Sequence, residues 1–259
     1  MSNNPLHDFY CEKPASLKNA IEIFKDEWVS FLPGFNIGHV PLFEDERVQW
    51  AINQAGGVEG KCVLELGPLE GGHTYMLYKA GAKSITTIEA NSRCFLKCLI
   101  TKQLFNLSNV ISLYGDFVKF LKEPNYYDYI HAAGVLYHLI DPVGFLNLLC
   151  QSSKSIYLWT HYADKDAMPE DDERFTAGIV GCEDLSNDGF SYKGYRRRYL
   201  GDTNTDAKFC GGIYSNPIWI EKKTILHLLN INGFEVEIAH DMPNHPNGPC
   251  CSFFAQKRG

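Results

Sequence analysis

The sequence predicts an α/β fold: a doubly wound, mostly parallel seven-stranded sheet with an antiparallel last strand, N-terminal helices and a lid-like insertion after strand 5. Three features of the sequence lead there. Short β-rich runs alternate with helical patterns from residue 61 to residue 160, as right-handed crossovers in a parallel sheet require. The first of these runs ends in a Gly-rich turn that opens a helix. After a long polar interruption, the chain closes on a helix, a strand, a tight turn and a strand, the pattern that gives such a sheet an antiparallel edge.

The elements follow in order. Leu17, Ala20, Ile21, Phe24, Trp28 and Phe31 recur at helical spacing and predict an N-terminal helix stopped by Pro33-Gly34. A second helix is expected over 45–54, ending at Gly56-Gly57. Strands are expected over 62–66, 84–89, 110–114, 127–132 and 155–160. The helices between them are expected at 73–79, 93–105 and 142–150. The stretch 163–216 is polar, rich in Gly, Asp, Tyr and Arg, and too long for a plain connection; it is expected to cover the substrate side. A helix over 221–230 and strands over 234–240 and 251–256 complete one domain spanning 1–259, with 1–57 as its N-terminal helical segment.

Composition narrows the function classes. A chain of 259 residues that is 45% hydrophobic and 21% charged can bury a full core and is not disordered. Its net charge of -7 disfavours nucleic acid and anionic membranes as partners. No apolar run approaches the roughly 20 residues of a membrane span, and the first residues are too polar for a signal peptide. Nine cysteines without a CxxC pair read as reduced thiols in a cytoplasmic protein, and no metal is expected.

The strongest local signal is Val63-Leu64-Glu65-Leu66-Gly67-Pro68-Leu69-Glu70-Gly71-Gly72, between a strand and a helix, where a Gly-rich turn can approach a nucleotide-like ligand. Glu89 ends the next strand, where a carboxylate can hold ribose hydroxyls. Glu65 and Glu70 oppose a pyrophosphate at this turn but suit a sulfonium and an amino group. With Ile88-Glu89-Ala90-Asn91, Gly115-Asp116-Phe117 and Gly134-Val135-Leu136-Tyr137-His138-Leu139, the turn resembles the ordered motifs of the class I S-adenosylmethionine-dependent methyltransferases. One departure is Leu69, which stands where that family often has the second Gly of its GxG.

The resemblance implies a Rossmann-like domain with S-adenosyl-L-methionine as cofactor. It implies that Glu65, Gly67, Pro68 and Gly71 line the methionine end, that Glu89, Ala90 and Asn91 hold the ribose, that Asp116 and Phe117 hold the adenine, and that Gly134 passes the reactive methyl. Asp116 also suits a helix N-cap.

Methyl transfer mainly requires positioning, with a base where the acceptor is a hydroxyl or ammonium. His138 and His161 follow the fourth and fifth strands and are the candidate catalytic residues; His73 opens the helix after the Gly-rich turn. Tyr162, Arg196, Arg198, His245 and Asn247 are the candidate substrate-binding residues, and Arg196 and Arg198 share a side if their segment is extended. The expected activity is methyl transfer to oxygen or nitrogen of a small polar metabolite. The alternatives are a tRNA-modifying methyl or carboxymethyl transferase and a non-catalytic cofactor-binding regulator.

Overall fold

The computed structural model describes residues 10–199 and 211–258. Helices α1 (Leu17–Glu22) and α2 (Glu46–Gln54) precede the alternating core. That core runs β1 (Cys62–Leu66), α3 (Gly72–Lys79), β2 (Ser84–Glu89), α4 (Ser92–Leu104), β3 (Val110–Tyr114), α5 (Phe117–Leu121), β4 (Tyr129–Ala133), α6 (Pro142–Ser152) and β5 (Ser155–His161). The interruption contains α7 (Glu173–Gly178), β6 (Ile179–Asn187) and β7 (Phe190–Arg197), followed by β8 (Ile218–Ile220). Then come α8 (Lys222–Ile231), β9 (Phe234–Met242) and β10 (Cys250–Lys257).

The main sheet has the order β3-β2-β1-β4-β5-β10-β9 and is parallel except for β10. The last strand is antiparallel, as expected, but it is not an edge. It lies between β5 and β9, and its Cys250 to Ala255 run is buried throughout. Alternation along β1 divides the core: Leu64 and Leu66 face the layer of α5, α6 and α8, whereas Val63 faces α2 and α3. Strand order reverses between β1 and β4, which opens a crevice at the carboxyl ends of the strands. Between β5 and α8 the chain adds a separate antiparallel sheet, β6-β7-β8.

The N-terminal segment departs from the expected helix, which ends at Glu22. The amides of Val29 and Ser30 donate to the carboxylate of Glu70 (2.7–3.1 Å) instead of to a preceding helical turn. Glu70 is fully buried and also accepts from Lys97 Nζ at 2.5 Å; Lys97 is buried too and donates to the Glu27 carbonyl. Thr101 donates to the Glu70 carbonyl at 2.7 Å.

Removing one partner of a buried ion pair leaves the other charge uncompensated. Lys97→Met should therefore destabilise the fold by about 3–5 kcal/mol, and the double change with Glu70→Gln should recover a substantial part of that loss. Urea unfolding of both variants beside the wild type checks this.

Candidate active site

The crevice at the strand switch point holds a cavity of about 870 Å³. One wall is the turn after β1. Gly67 has φ +65°, and a Cβ there would come 2.6 Å from Val135 Cγ1, so this position takes only glycine without a shift. Leu69 also has a positive φ, +56°, the left-handed conformation that the missing glycine would have taken. An L-residue holds it at a cost of about 1–2 kcal/mol. In return its amide points at Glu89 Oε2 (3.3 Å), while the Asn91 amide donates to Oε1 (2.8 Å). Glu89 is buried but lines the cavity, and burial raises its pKa against the pull of these two amides.

Of the residues expected at the cofactor, Gly67, Pro68, Glu89, Ala90, Asn91, Asp116, Phe117 and Gly134 line this cavity. Asp116 is also the N-cap of α5, accepting from Val118 N at 2.8 Å, so its two expected roles can coexist. Asn91 caps α4 in the same way. Gly71 is not on the wall: its left-handed turn is packed against Thr101 of α4. Glu70, which the sequence offered to a cationic ligand, is instead consumed in anchoring the N-terminal segment.

Glu65 is buried behind the turn. Its Oε2 accepts from Thr74 Oγ1 at 2.5 Å, and its Oε1 has no hydrogen-bond partner. Burial, reinforced by the Glu89 charge and opposed by Thr74, pushes its pKa up to about 8.

On the other side of the cavity stand Leu42, Arg47, His73, Tyr137, His138, Trp159 and, from beyond β7, Tyr214. Arg47 makes a forked contact with Asp45 and lies over the Trp159 ring, 4.7 Å from its centroid. Burial opposes the charge on Asp45, but the hydrogen bonds from His73 and Arg47 prevail and hold its pKa well below the usual range. Behind this pair runs a buried chain in which Tyr129 OH meets His131 Nδ1 (3.2 Å), His131 Nε2 meets His73 Nδ1 (3.2 Å) and His73 Nε2 meets Asp45 (3.1 Å). The Asp45 carboxylate can only accept, so His73 Nε2 donates to it and anchors the chain at that end.

His138 lines the cavity, and its Nδ1 bonds the Tyr199 hydroxyl, which also accepts from Gly212 N. Burial, with the neighbouring His161, lowers the His138 pKa to about 3. A histidine so depressed is a weak base.

His161 lies off the cavity wall, its ring stacked on Trp219 (5.1 Å) and edge-on to Tyr137 (4.8 Å). Burial lowers its pKa to about 4.

None of the expected substrate residues reaches this cavity. The Tyr162 hydroxyl is spent on Asp241 (2.7 Å). The arginines alternate in side, as expected of an extended segment. However, Arg196 pairs with Glu183 and Arg198 with the Ala177 carbonyl, while Arg197 turns inward over Trp219 at 4.3 Å. His245 packs on His161, and Asn247 lies exposed in the same turn. Sequence reasoning missed Arg47 because nothing near it marks a site; its helix is separated by most of the fold from Trp159. The sequence did offer a signal for β6 and β7: Asp188-Gly189, with φ +48° and +82°, is a hairpin turn between two extended runs.

No protein-family model matches the chain, and no curated protein does. Solved structures match over nearly the whole of it. The N-terminal domain of EvdMO1, crystallised in the presence of SAH (S-adenosylhomocysteine) and D-fucose, shares 22% identity over 94% of this chain and 95% of that one, with a TM-score of 0.69. The CcbJ methyltransferase from Streptomyces caelestis shares 16% over 92% and 96%, with a TM-score of 0.56. The magnesium protoporphyrin IX methyltransferase ChlM from Synechocystis PCC 6803, with bound SAH, shares 14% over 83% and 81%, with a TM-score of 0.53. The chain has the methyltransferase fold. Its cavity lies at the switch point of that fold, on the side where the motifs of the sequence converge. Among the described residues, no helix is long and apolar enough to cross a membrane.

The Glu65 carboxyl provides a direct check of this geometry. Its folded pKa of about 8 stands above the ordinary 4.5, so its contribution to stability is complete below about pH 4.5 and is lost as pH rises through 8. Glu65→Gln cannot ionise in either state. Its stability relative to wild type should therefore rise between those pH values, by at most about 5 kcal/mol. Thermal unfolding of both proteins across that window measures the difference; a flat difference would show that Glu65 titrates as an ordinary carboxyl.

Proposed function

We propose that the chain is an S-adenosyl-L-methionine-dependent methyltransferase that acts on oxygen or nitrogen of a small polar molecule. The observation that carries this reading is the pair of buried carboxyls at the Gly-rich turn. Glu89 faces the cavity between two backbone amides, and Glu65 keeps an oxygen without a partner just behind it. Such a turn repels a pyrophosphate and accepts a cation and a diol. When bound, the cofactor supplies a methyl group on a cationic sulfur for in-line displacement.

The chain's own residues then have these roles. Glu89 accepts from the ribose hydroxyls, with Ala90 and Asn91 beside it. Asp116, with Oδ1 occupied by the α5 cap, offers Oδ2 to the adenine amino group, and Phe117 stands beside the ring. Gly67, Pro68 and Gly134 let the backbone come close at the reacting centre. Glu65 offers its unpartnered oxygen to an ammonium from beneath the turn and would ionise as that cation arrives, and Gly71 sets the turn against α4. His138 lines the cavity and positions the acceptor, and Tyr137 and Trp159 form a wall for a ring or a polyol.

The described residues Asn187, Asp188, Gly211, Gly212, Ile213 and Tyr214 close one side of the cavity, which supports reading the insertion as a lid. A sugar-like acceptor agrees with the D-fucose used with the EvdMO1 domain. Arg196 and Arg198 are engaged within the protein, so the basic run does not support an RNA surface or the tRNA-modifying alternative.

Two outcomes are expected. Calorimetry should show binding of SAH and none of NAD, and Glu89→Ala should weaken SAH by about 1–3 kcal/mol, the range for a charged hydrogen bond lost with its partners left unpaired. Labelled cofactor incubated with fractionated cell extract should place label in the small-molecule fraction. Tight NAD binding would overturn the cofactor reading, label in RNA would favour the tRNA alternative, and SAH binding without transfer to any fraction would favour the regulator.

A further inference from the structure

Behind the aromatic wall, three side chains of metal-binding type converge. His161 ends β5 and Cys250 opens β10. They are cross-strand partners in an antiparallel ladder, so their side chains leave the sheet on the same face. The turn between β9 and β10 carries His245 onto them, with its ring 5.1 Å from that of His161. One ligand atom from each residue lies within 4.8 Å of the other two. His161 and Cys250 are 6% and 1% exposed, and His245 is half-buried.

The protonation of His161 is set by its surroundings. Its Nδ1 faces two backbone carbonyls, Gly248 O at 2.9 Å and Pro249 O at 3.2 Å, so Nδ1 carries the proton and Nε2 the lone pair. This is the arrangement behind ligating histidines, in which the ring nitrogen opposite the metal donates to a carbonyl and orients the ring. Both carbonyls belong to the residues just before Cys250, so the loop that delivers the thiol also aims the imidazole. The surrounding cations are already engaged: Arg47 is neutralised by Asp45, and Arg197 lies over Trp219.

We infer that His161, His245 and Cys250 form a binding site for zinc or a similar borderline divalent cation. Two imidazoles and a thiol suit zinc or cobalt(II), whereas magnesium and calcium prefer oxygen donors. Binding removes the thiol proton to solvent, and the thiolate offsets one of the two positive charges. His245 is the ligand that adjusts. Its Nδ1 accepts from the Asn247 amide at 3.1 Å, and that exposed bond is given up as the ring turns onto the cation. A fourth position would be left to water. The site would tie the β9–β10 turn to the end of β5, directly behind Tyr137. His245 and Cys250 flank one turn while His161 comes from a distant strand, which is why a search for CxxC pairs gave no sign of the site. The inference is independent of the methyl-transfer reading.

The test uses the full chain, stripped with chelator and titrated separately with zinc and cobalt(II). One equivalent of each should bind, and the cobalt form should show thiolate-to-cobalt charge transfer and the intense visible bands of a tetrahedral site. Cys250→Ser should abolish the charge-transfer band and weaken zinc by more than about 100-fold, the upper end for disturbing only a partner behind a ligand. Cys182→Ser, at an exposed thiol away from the cluster, should leave both unchanged. His245→Gln, in a half-buried turn that should not compromise folding, should also weaken zinc and alter the cobalt spectrum. Absence of stoichiometric binding, or binding indifferent to both Cys250→Ser and His245→Gln, would overturn the site.

Discussion

Glu70 is buried at the point where the Gly-rich turn, helix α4 and the N-terminal segment meet, and its side chain receives donors from the last two. A carboxylate removed from water must be met by several donors or it is not tolerated. Here Lys97 supplies the opposite charge and the Val29 and Ser30 amides the remaining bonds, while Thr101 holds the backbone carbonyl of Glu70 itself. The requirement is mutual. The N-terminal segment gives up helical hydrogen bonds at Val29 and Ser30 to satisfy it, and in doing so it is fixed across the mouth of the turn. Leu42 then packs over Gly72, where a Cβ would lie 2.7 Å from the Leu42 carbonyl oxygen, and α2 starts with Arg47 facing the cavity. One side of the cavity therefore depends on a charge that never touches it.

Much of the fold was legible because burial follows the sequence period. Strand β1 reads as an unbroken apolar run around Glu65, and α6 has Pro142 at its start beside the Asp141 cap. The N-terminal helix misled because its apolar spacing is real: Ile21, Phe24 and Trp28 are all buried, but in a segment whose amides are drawn elsewhere. Strands β6 and β7 were obscured because only Gly194 and Tyr195 among their residues are buried, so they offer no apolar rhythm, although their turn was marked. The interior position of β10 depends on pairing with β5, a non-local choice that no short window of sequence records.

The site was legible to a different degree on its two sides. The cofactor side is built from contiguous motifs, where a glycine or an acid at a strand end has a local geometric reason. Leu69 shows how far such reasoning reaches: it departs from glycine yet holds a left-handed backbone that favours glycine, with its amide aimed at Glu89. The opposite side is assembled from α2, β4, β5 and the loop before β8, each contributing one or two residues. Charge and aromatic content marked Arg196 and Arg198 there, yet it was the neighbouring Arg197 that the strand pairing turned inward.

The hydrogen-bonded series from Tyr129 through His131 and His73 to Asp45 ties β4, α3 and the start of α2 to one another. Its far end is the fully enclosed Tyr129 ring, and burial, with His73 beside it, depresses His131 far below the usual histidine range. At the near end Asp45 holds His73 and Arg47 together, and their hydrogen bonds keep its pKa well below the usual range. The series thus works as a guy line: the Arg47 guanidinium over Trp159 is stayed from inside the sheet, through a carboxylate shared with His73. The wall of the cavity is held by this polar anchorage beneath it as much as by packing.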